Sequence, residues 1–122
     1  MQRPVLVAVD DLFFLTKIET TARQLGVSLI QARSAQALES QLEAPAPPRL
    51  VILDLNSTAC APLAAIRRIK SDPRLRETRT LGFFSHVQTE LAVAAREAGC
   101  DQILPRSEFS AKLGEILKAG SA

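Results

Sequence analysis

Aromatic side chains are scarce in this chain of 122 residues, which has no tryptophan and no tyrosine and only five phenylalanines. The one basic concentration, Arg67, Arg68, Lys70, Arg74, Arg76 and Arg79, therefore has no interleaved stacking platforms, and Asp72 and Glu77 interrupt it. It reads as a solvated helix face and loop. With 15 basic against 13 acidic residues the net charge is only +2, too little to argue for direct nucleic-acid binding. Cysteine is nearly absent as well. Cys60 and Cys100 are far apart and lack Cys/His ligand spacing, so they are expected to be reduced thiols packed as small hydrophobes. Glycine numbers five, and none follows the first apolar run, where a flavin or dinucleotide site needs them to cradle phosphate; Asp10-Asp11-Leu12-Phe13-Phe14 offers acids and bulk instead. The Asp-x-Asp of a haloacid-dehalogenase-like phosphatase is missing there too. No apolar run is long enough for a membrane span: the one after Gln2, Arg3 and Pro4 meets Asp10 and Asp11, which excludes a signal peptide as well and makes a cytoplasmic protein the expectation.

What is present is an ordinary globular balance, 47% apolar and 23% charged. The length suits a single domain over 1–122, burying roughly two-thirds of the unfolded surface. Its organising stretch is Leu50-Val51-Ile52-Leu53-Asp54-Leu55-Asn56. Four branched aliphatics in succession suit a strand buried on both faces of a parallel sheet, and Asp54 lies where that strand stops. In open α/β sheets ligands bind outside the carboxyl ends of the strands, so this acid is placed for chemistry.

Val5 to Val9 is a second apolar strand ending in acids, Asp10 and Asp11. Leu15, Ile18, Ala22 and Leu25 predict an amphipathic helix closed by Gly26. Val27 to Ala32 reads as an edge strand, and Ser34 caps a helix carrying Leu38 and Leu42. After a stiff Pro45-Ala46-Pro47-Pro48 connection and the Asp54 strand, Pro62 opens a helix with Leu63, Ile66 and Ile69 inward. Leu81 to Phe84 predicts a fourth strand ending at Ser85-His86, and Glu90 to Ala98 a helix stopped by Gly99. Ile103-Leu104 makes a fifth strand ending at Pro105-Arg106. A last helix, capped by Ser107, buries Phe109, Leu113, Ile116 and Leu117, with Gly114 weakening its middle by about 1 kcal/mol. Five β-α units call for a doubly wound parallel sheet with helices on both faces.

Every polar group at a strand end then falls on one rim. Carboxylates gathered there repel one another unless a cation joins them, and a hard divalent ion such as Mg²⁺ suits ligands drawn from Asp10, Asp11, Asp54 and the Asn56 carbonyl. A carboxylate beside such an ion can attack phosphorus, which makes Asp54 the expected phosphoacceptor. Ser85 can donate to a phosphoryl oxygen and Arg106 can balance its charge.

In this ordered set, Asp10-Asp11, Asp54, Ser85 and a basic Arg106 after successive strands, the whole chain resembles a response-regulator receiver domain of two-component signalling. The resemblance implies a flavodoxin-like fold with strand order 2-1-3-4-5, a signalling module rather than an enzyme, and a histidine kinase or phosphotransfer protein as partner. It also implies a possible homodimer through the face of the fourth helix, fifth strand and last helix. The departures mark an atypical receiver. Arg106 and Ser107 replace the family's lysine and the proline after it, which removes the usual cis bond, and Ser57 to Ala61 lacks the family's loop signals. Ile103 stands where an aromatic commonly swings inward, and His86 where a small residue is usual. Phe13 and Phe14 cannot both be buried by helix phase, and Phe13, His86 and Ile103 are candidates for a partner surface. Two functional readings stay open: phosphoryl acceptance on Asp54 with Mg²⁺, or a phosphorylation-independent pseudo-receiver in which Arg106 holds Asp54 in a standing ion pair. No effector domain fits in this length, so output is expected to pass through a partner, a dimer or a neighbouring domain.

Overall fold

Five short apolar runs become the strands β1 (Val5–Ala8), β2 (Leu29–Gln31), β3 (Leu50–Asp54), β4 (Arg79–Phe84) and β5 (Gln102–Pro105). They belong to a computed structural model that describes residues 3–85 and 89–121, the last two by backbone alone. All neighbours pair in parallel in the order β2-β1-β3-β4-β5, the order the resemblance implies. The helices are α1 (Leu12–Leu25), α2 (Ala35–Leu42), α3 (Pro62–Ser71), α4 (Thr89–Ala98), α5 (Arg106–Ala111) and α6 (Leu113–Ser121), with a 3₁₀ turn at Pro73–Leu75. No helix among the described residues is long and apolar enough to cross a membrane.

Because side chains alternate along a strand, each central strand feeds two cores. Val5, Val7, Leu50, Ile52, Leu81 and Phe83 face the side covered by α1, α5 and α6, where Phe14, Ile18, Phe109 and Leu117 meet them. Leu6, Ala8, Val51 and Leu53 face α2, α3 and α4, with Leu38, Leu42, Ile66 and Ile69. On the first side three rings form one cluster, Phe83 stacked on Phe109 at 4.6 Å and Phe14 tilted against both at 5.1 and 5.7 Å. Local signals set the helix ends. Gly26 takes a left-handed φ of 70° and its N–H closes α1 on Ala22 and Arg23, and the Ser34 hydroxyl accepts from the Ala37 N–H at 3.1 Å.

The C-terminal helix departs from the sequence reading. Pro105, not Ser107, holds its N-cap position, and the helix divides at Lys112 (φ −104°, ψ 10°) before resuming at Leu113. Proline at the end of β5 supplies the extended entry, φ −61° and ψ 149°, that starts α5 at Arg106. The break falls two residues before Gly114, whose missing side chain makes that turn costly to hold in a helix. Cys60 is buried and Cys100 half-buried, both as free thiols.

One close approach ties the sheet to the loop after β3. A Cβ on Gly82 would come 2.9 Å from Leu55 Cδ2 and 3.0 Å from Cδ1 and Cγ. Leu55 is itself only 4% exposed, between Asp54 and Asn56, so it has little room to yield. Gly82→Ala is therefore expected to lower stability by about 1–3 kcal/mol, read as a drop in the urea midpoint at unchanged slope.

Candidate functional site

The carboxyl ends of β1, β3, β4 and β5 open onto one rim, and each brings one element of the candidate site. β1 ends at Ala8, so Asp10 and Asp11 follow in the turn into α1. Asp11 is the N-cap of α1: its Oδ1 accepts from the N–H groups of Phe13 at 3.0 Å and Phe14 at 3.2 Å. Asp54, the last residue of β3, is 8% exposed, and its Oδ1 accepts from the Asn56 N–H at 3.0 Å. Asn56 in turn reaches across to the end of β4, where its Oδ1 accepts from the Ser85 N–H at 3.0 Å. Arg106 follows β5 directly. Its Nη2 donates to Asp11 Oδ2 at 3.1 Å, and its Cζ lies 4.2 Å above the Phe14 ring. The guanidinium is thus held by a carboxylate and by an aromatic face that also belongs to the core.

Two of these acids are shifted in opposite directions. Burial pushes the Asp54 carboxyl above its usual range; the Asn56 N–H and the Arg106 charge pull it back, while the charges of Asp10 and Asp11 push the same way as burial. Asp11 is held below the usual carboxylate range by the Phe14 N–H and by its bond to Arg106, against a smaller effect of burial. Asp54 is thus raised mainly by its own burial, and Asp11 is lowered mainly by the donors that hold it.

The expected metal shell of Asp10, Asp11, Asp54 and Asn56 is not assembled. Among the described residues no three His, Cys, Asp or Glu side chains converge on one point. The reason is local: Asp11 gives one oxygen to the first turn of α1 and the other to Arg106, and Asp10 is exposed. The standing Arg106–Asp54 ion pair is not formed either, because Asp11 takes the guanidinium. In kind, the donors still suit a hard divalent cation, since all are oxygens and burial of Asp54 disfavours its unaccompanied charge.

Phe13 is 92% exposed beside the acid pair and Leu12 57%, whereas Phe14 is buried. Ile103 is half-buried against the core under α2, α3 and α4. His86 lies outside the described residues. Two contributions escaped the sequence reading. The Asn56 side chain, rather than only its carbonyl, links β3 to β4; a short amide two residues after a strand-end acid was the available signal. Phe14 as the platform for Arg106 had no local signal, since 91 residues separate them.

The opposite shifts carry a signed expectation. A raised Asp54 means the folded state binds more protons than the unfolded chain between the unfolded value near 3.8 and the higher folded one, so stability falls as pH rises through that window. Asp54→Asn removes this loss. It is expected to raise the thermal midpoint at neutral pH, with the advantage fading as pH falls through the same window.

No protein-family model matches the chain, and no curated protein matches it in sequence. Solved structures do. A putative response regulator from Chloroflexus aurantiacus superposes with a TM-score of 0.83 at 18% identity, covering 98% of each chain. The phosphorylated cyanobacterial phytochrome response regulator RcpA gives 0.80 at 16% identity, over 98% of this chain and 91% of that one. The Mn²⁺-bound response regulator Rcp1 gives 0.78 at 17% identity, over 93% and 91%. Across nearly its whole length, then, the chain has the fold of response-regulator receiver domains.

Proposed function

We propose that the chain is a receiver module of a two-component phosphorelay that accepts a phosphoryl group on Asp54 from a histidine kinase or phosphotransfer protein. The observation that carries this is the burial of Asp54 at the end of the central strand, on the rim it shares with Asp10, Asp11, Ser85 and Arg106. The Asn56 N–H fixes Oδ1 and so sets the plane of the carboxyl, presenting Oδ2 to the incoming phosphorus. The donor's N–P bond breaks as the Oδ2–P bond forms, and the donor nitrogen keeps the electron pair and takes up a proton. Mg²⁺ bound by Asp10, Asp54 and the Asn56 carbonyl would draw charge from the transferring group, and the Mn²⁺-bound Rcp1 and phosphorylated RcpA support both features by analogy. The Ser85 hydroxyl and Arg106 take the new phosphoryl oxygens. Arg106 must leave Asp11 to do so, which makes the Asp11–Arg106 pair the contact that differs between the two states. The exposed Phe13 is the partner-facing residue nearest the acids, and the face of α4, β5 and the C-terminal helices α5 and α6, where Val93 is 51% exposed, suits a second copy of the chain. A cytoplasmic location goes with this reading.

A second reading is favoured by one observation. Arg106 already supplies a cation to the rim and occupies Asp11, which suits a pseudo-receiver that binds its partner without phosphorylation.

Incubation with acetyl phosphate and Mg²⁺ followed by intact mass is expected to show one added phosphoryl group, lost in Asp54→Asn and on addition of EDTA. No addition to the wild-type chain overturns the first reading, and partner binding indifferent to Asp54→Ala would then favour the second. Arg106→Ala releases Asp11, and by electron paramagnetic resonance it is expected to tighten Mn²⁺ binding about threefold, the worth of a partly exposed ion pair.

A further inference from the structure

The opposite rim of the sheet carries the opposite charge. β1, β3 and β4 are adjacent, and an arginine stands at or just before the start of each: Arg3, Arg49 and Arg79. Backbone bonds hold these entries side by side, the Arg49 N–H donating to the Pro4 carbonyl and the Arg79 N–H to the Arg49 carbonyl, both at 3.0 Å. At the usual strand spacing the three span about 10 Å, and the length of β3 puts them roughly 16 Å from Asp54. They line a cavity of about 710 Å³ together with Arg76 and Lys70. The sequence placed Arg76 and Arg79 in a solvated basic run; folding brings Arg3 and Arg49 to them from strands far away in the chain.

Little in the cavity neutralises these charges. Its two acids are Asp101 and the exposed Glu77. Asp101 is already committed: one oxygen accepts from Lys70 Nζ at 2.6 Å, from the Thr80 N–H at 2.8 Å and from the Thr80 hydroxyl at 3.1 Å. Arg3, Arg49, Arg76 and Arg79 have no ion-pair partner among the described residues. Four guanidiniums around one concavity repel one another and focus a positive potential into it, which an anion relieves. Guanidinium forks match phosphate oxygens two at a time, and the volume lies within the range of small-molecule sites. No aromatic residue lines the cavity, so there is no platform on which a base could stack.

We infer that this cavity is a binding site for a chain of linked phosphates, recognised through Arg3, Arg49, Arg76 and Arg79 and separate from the acidic rim at Asp54. A single phosphate engages only part of a row about 10 Å long, whereas a triphosphate spans it. The source is either a free inorganic oligophosphate or the phosphate tail of a nucleotide. A small charged metabolite bound at this rim would leave the Asp54 rim open.

The test is an amide-shift titration of the isotope-labelled chain with tripolyphosphate, with pyrophosphate, inorganic phosphate, ATP and a thymidine oligonucleotide as parallel arms. EDTA is present throughout, so that no cation-dependent binding at Asp54 contributes. Saturable shifts are expected at residues 3–5, 49–51 and 76–80 and not at 54–56, with tripolyphosphate binding tighter than pyrophosphate and inorganic phosphate weakest. ATP equal to tripolyphosphate assigns the phosphate tail, and ATP much weaker assigns the inorganic chain. Arg49→Gln and Arg79→Gln are each expected to weaken binding about tenfold, as is the exposed Arg76→Gln, which leaves the strand entries intact. Asp54→Asn is expected to change nothing. Non-saturable shifts, affinity unaltered in all three arginine variants, shifts centred on Arg67 and Arg68, or the oligonucleotide binding tighter than tripolyphosphate would each overturn the assignment.

Discussion

Carboxylates delivered to one rim of a parallel sheet repel one another, and the acidic half of this molecule is arranged around that repulsion. Two solutions are visible. Asp11 spends its charge on the first turn of α1 and on Arg106, which holds its carboxyl low. Asp54 has no such partner and is pushed high by burial and by its neighbours. The acid in a direct ion pair caps a helix, and the acid outside that pair is the candidate for chemistry.

Arg106 links this electrostatics to the core. Its guanidinium lies on Phe14, and Phe14 packs against Phe83 and Phe109, so the cation of the rim rests on the aromatic cluster between the sheet and α1 and α5. A lysine would offer a compact point charge in this place; the arginine fork offers a flat surface that stacks as well as pairs. The same parallel topology that gathers acids at the carboxyl ends gathers arginines at the amino ends. A chain of nearly balanced charge therefore has two rims of opposite sign.

Much of this was legible in the residues. The all-apolar runs at Val5 and Leu50 could only be buried central strands, and the mixed run at Val27 shortens to the three-residue edge strand β2. Ser34, Gly26 and Pro62 act within one turn of themselves, so their roles as cap, stop and start needed no knowledge of the fold. Ser107 was misread because the serine and the proline two residues before it compete for one position, and the end of β5 decided for Pro105. The contacts among the acids were not legible for a different reason. Sequence order brings three acids to one rim, but it does not show that α1 begins on Asp11 and turns that carboxylate inward to the helix and Arg106.

By itself the sequence determined which segments are strands, which rim each strand end reaches, and hence that Asp10, Asp11, Asp54, Ser85 and Arg106 share one region, because hydrophobic alternation and β-α order are local and ordinal properties. Only the tertiary structure decided which of these groups touch. Arg106 pairs with Asp11 rather than Asp54, Asn56 bonds to Ser85, and Arg3 and Arg49 join Arg79, because contacts between residues tens of positions apart depend on strand register and helix phase to within a few ångströms.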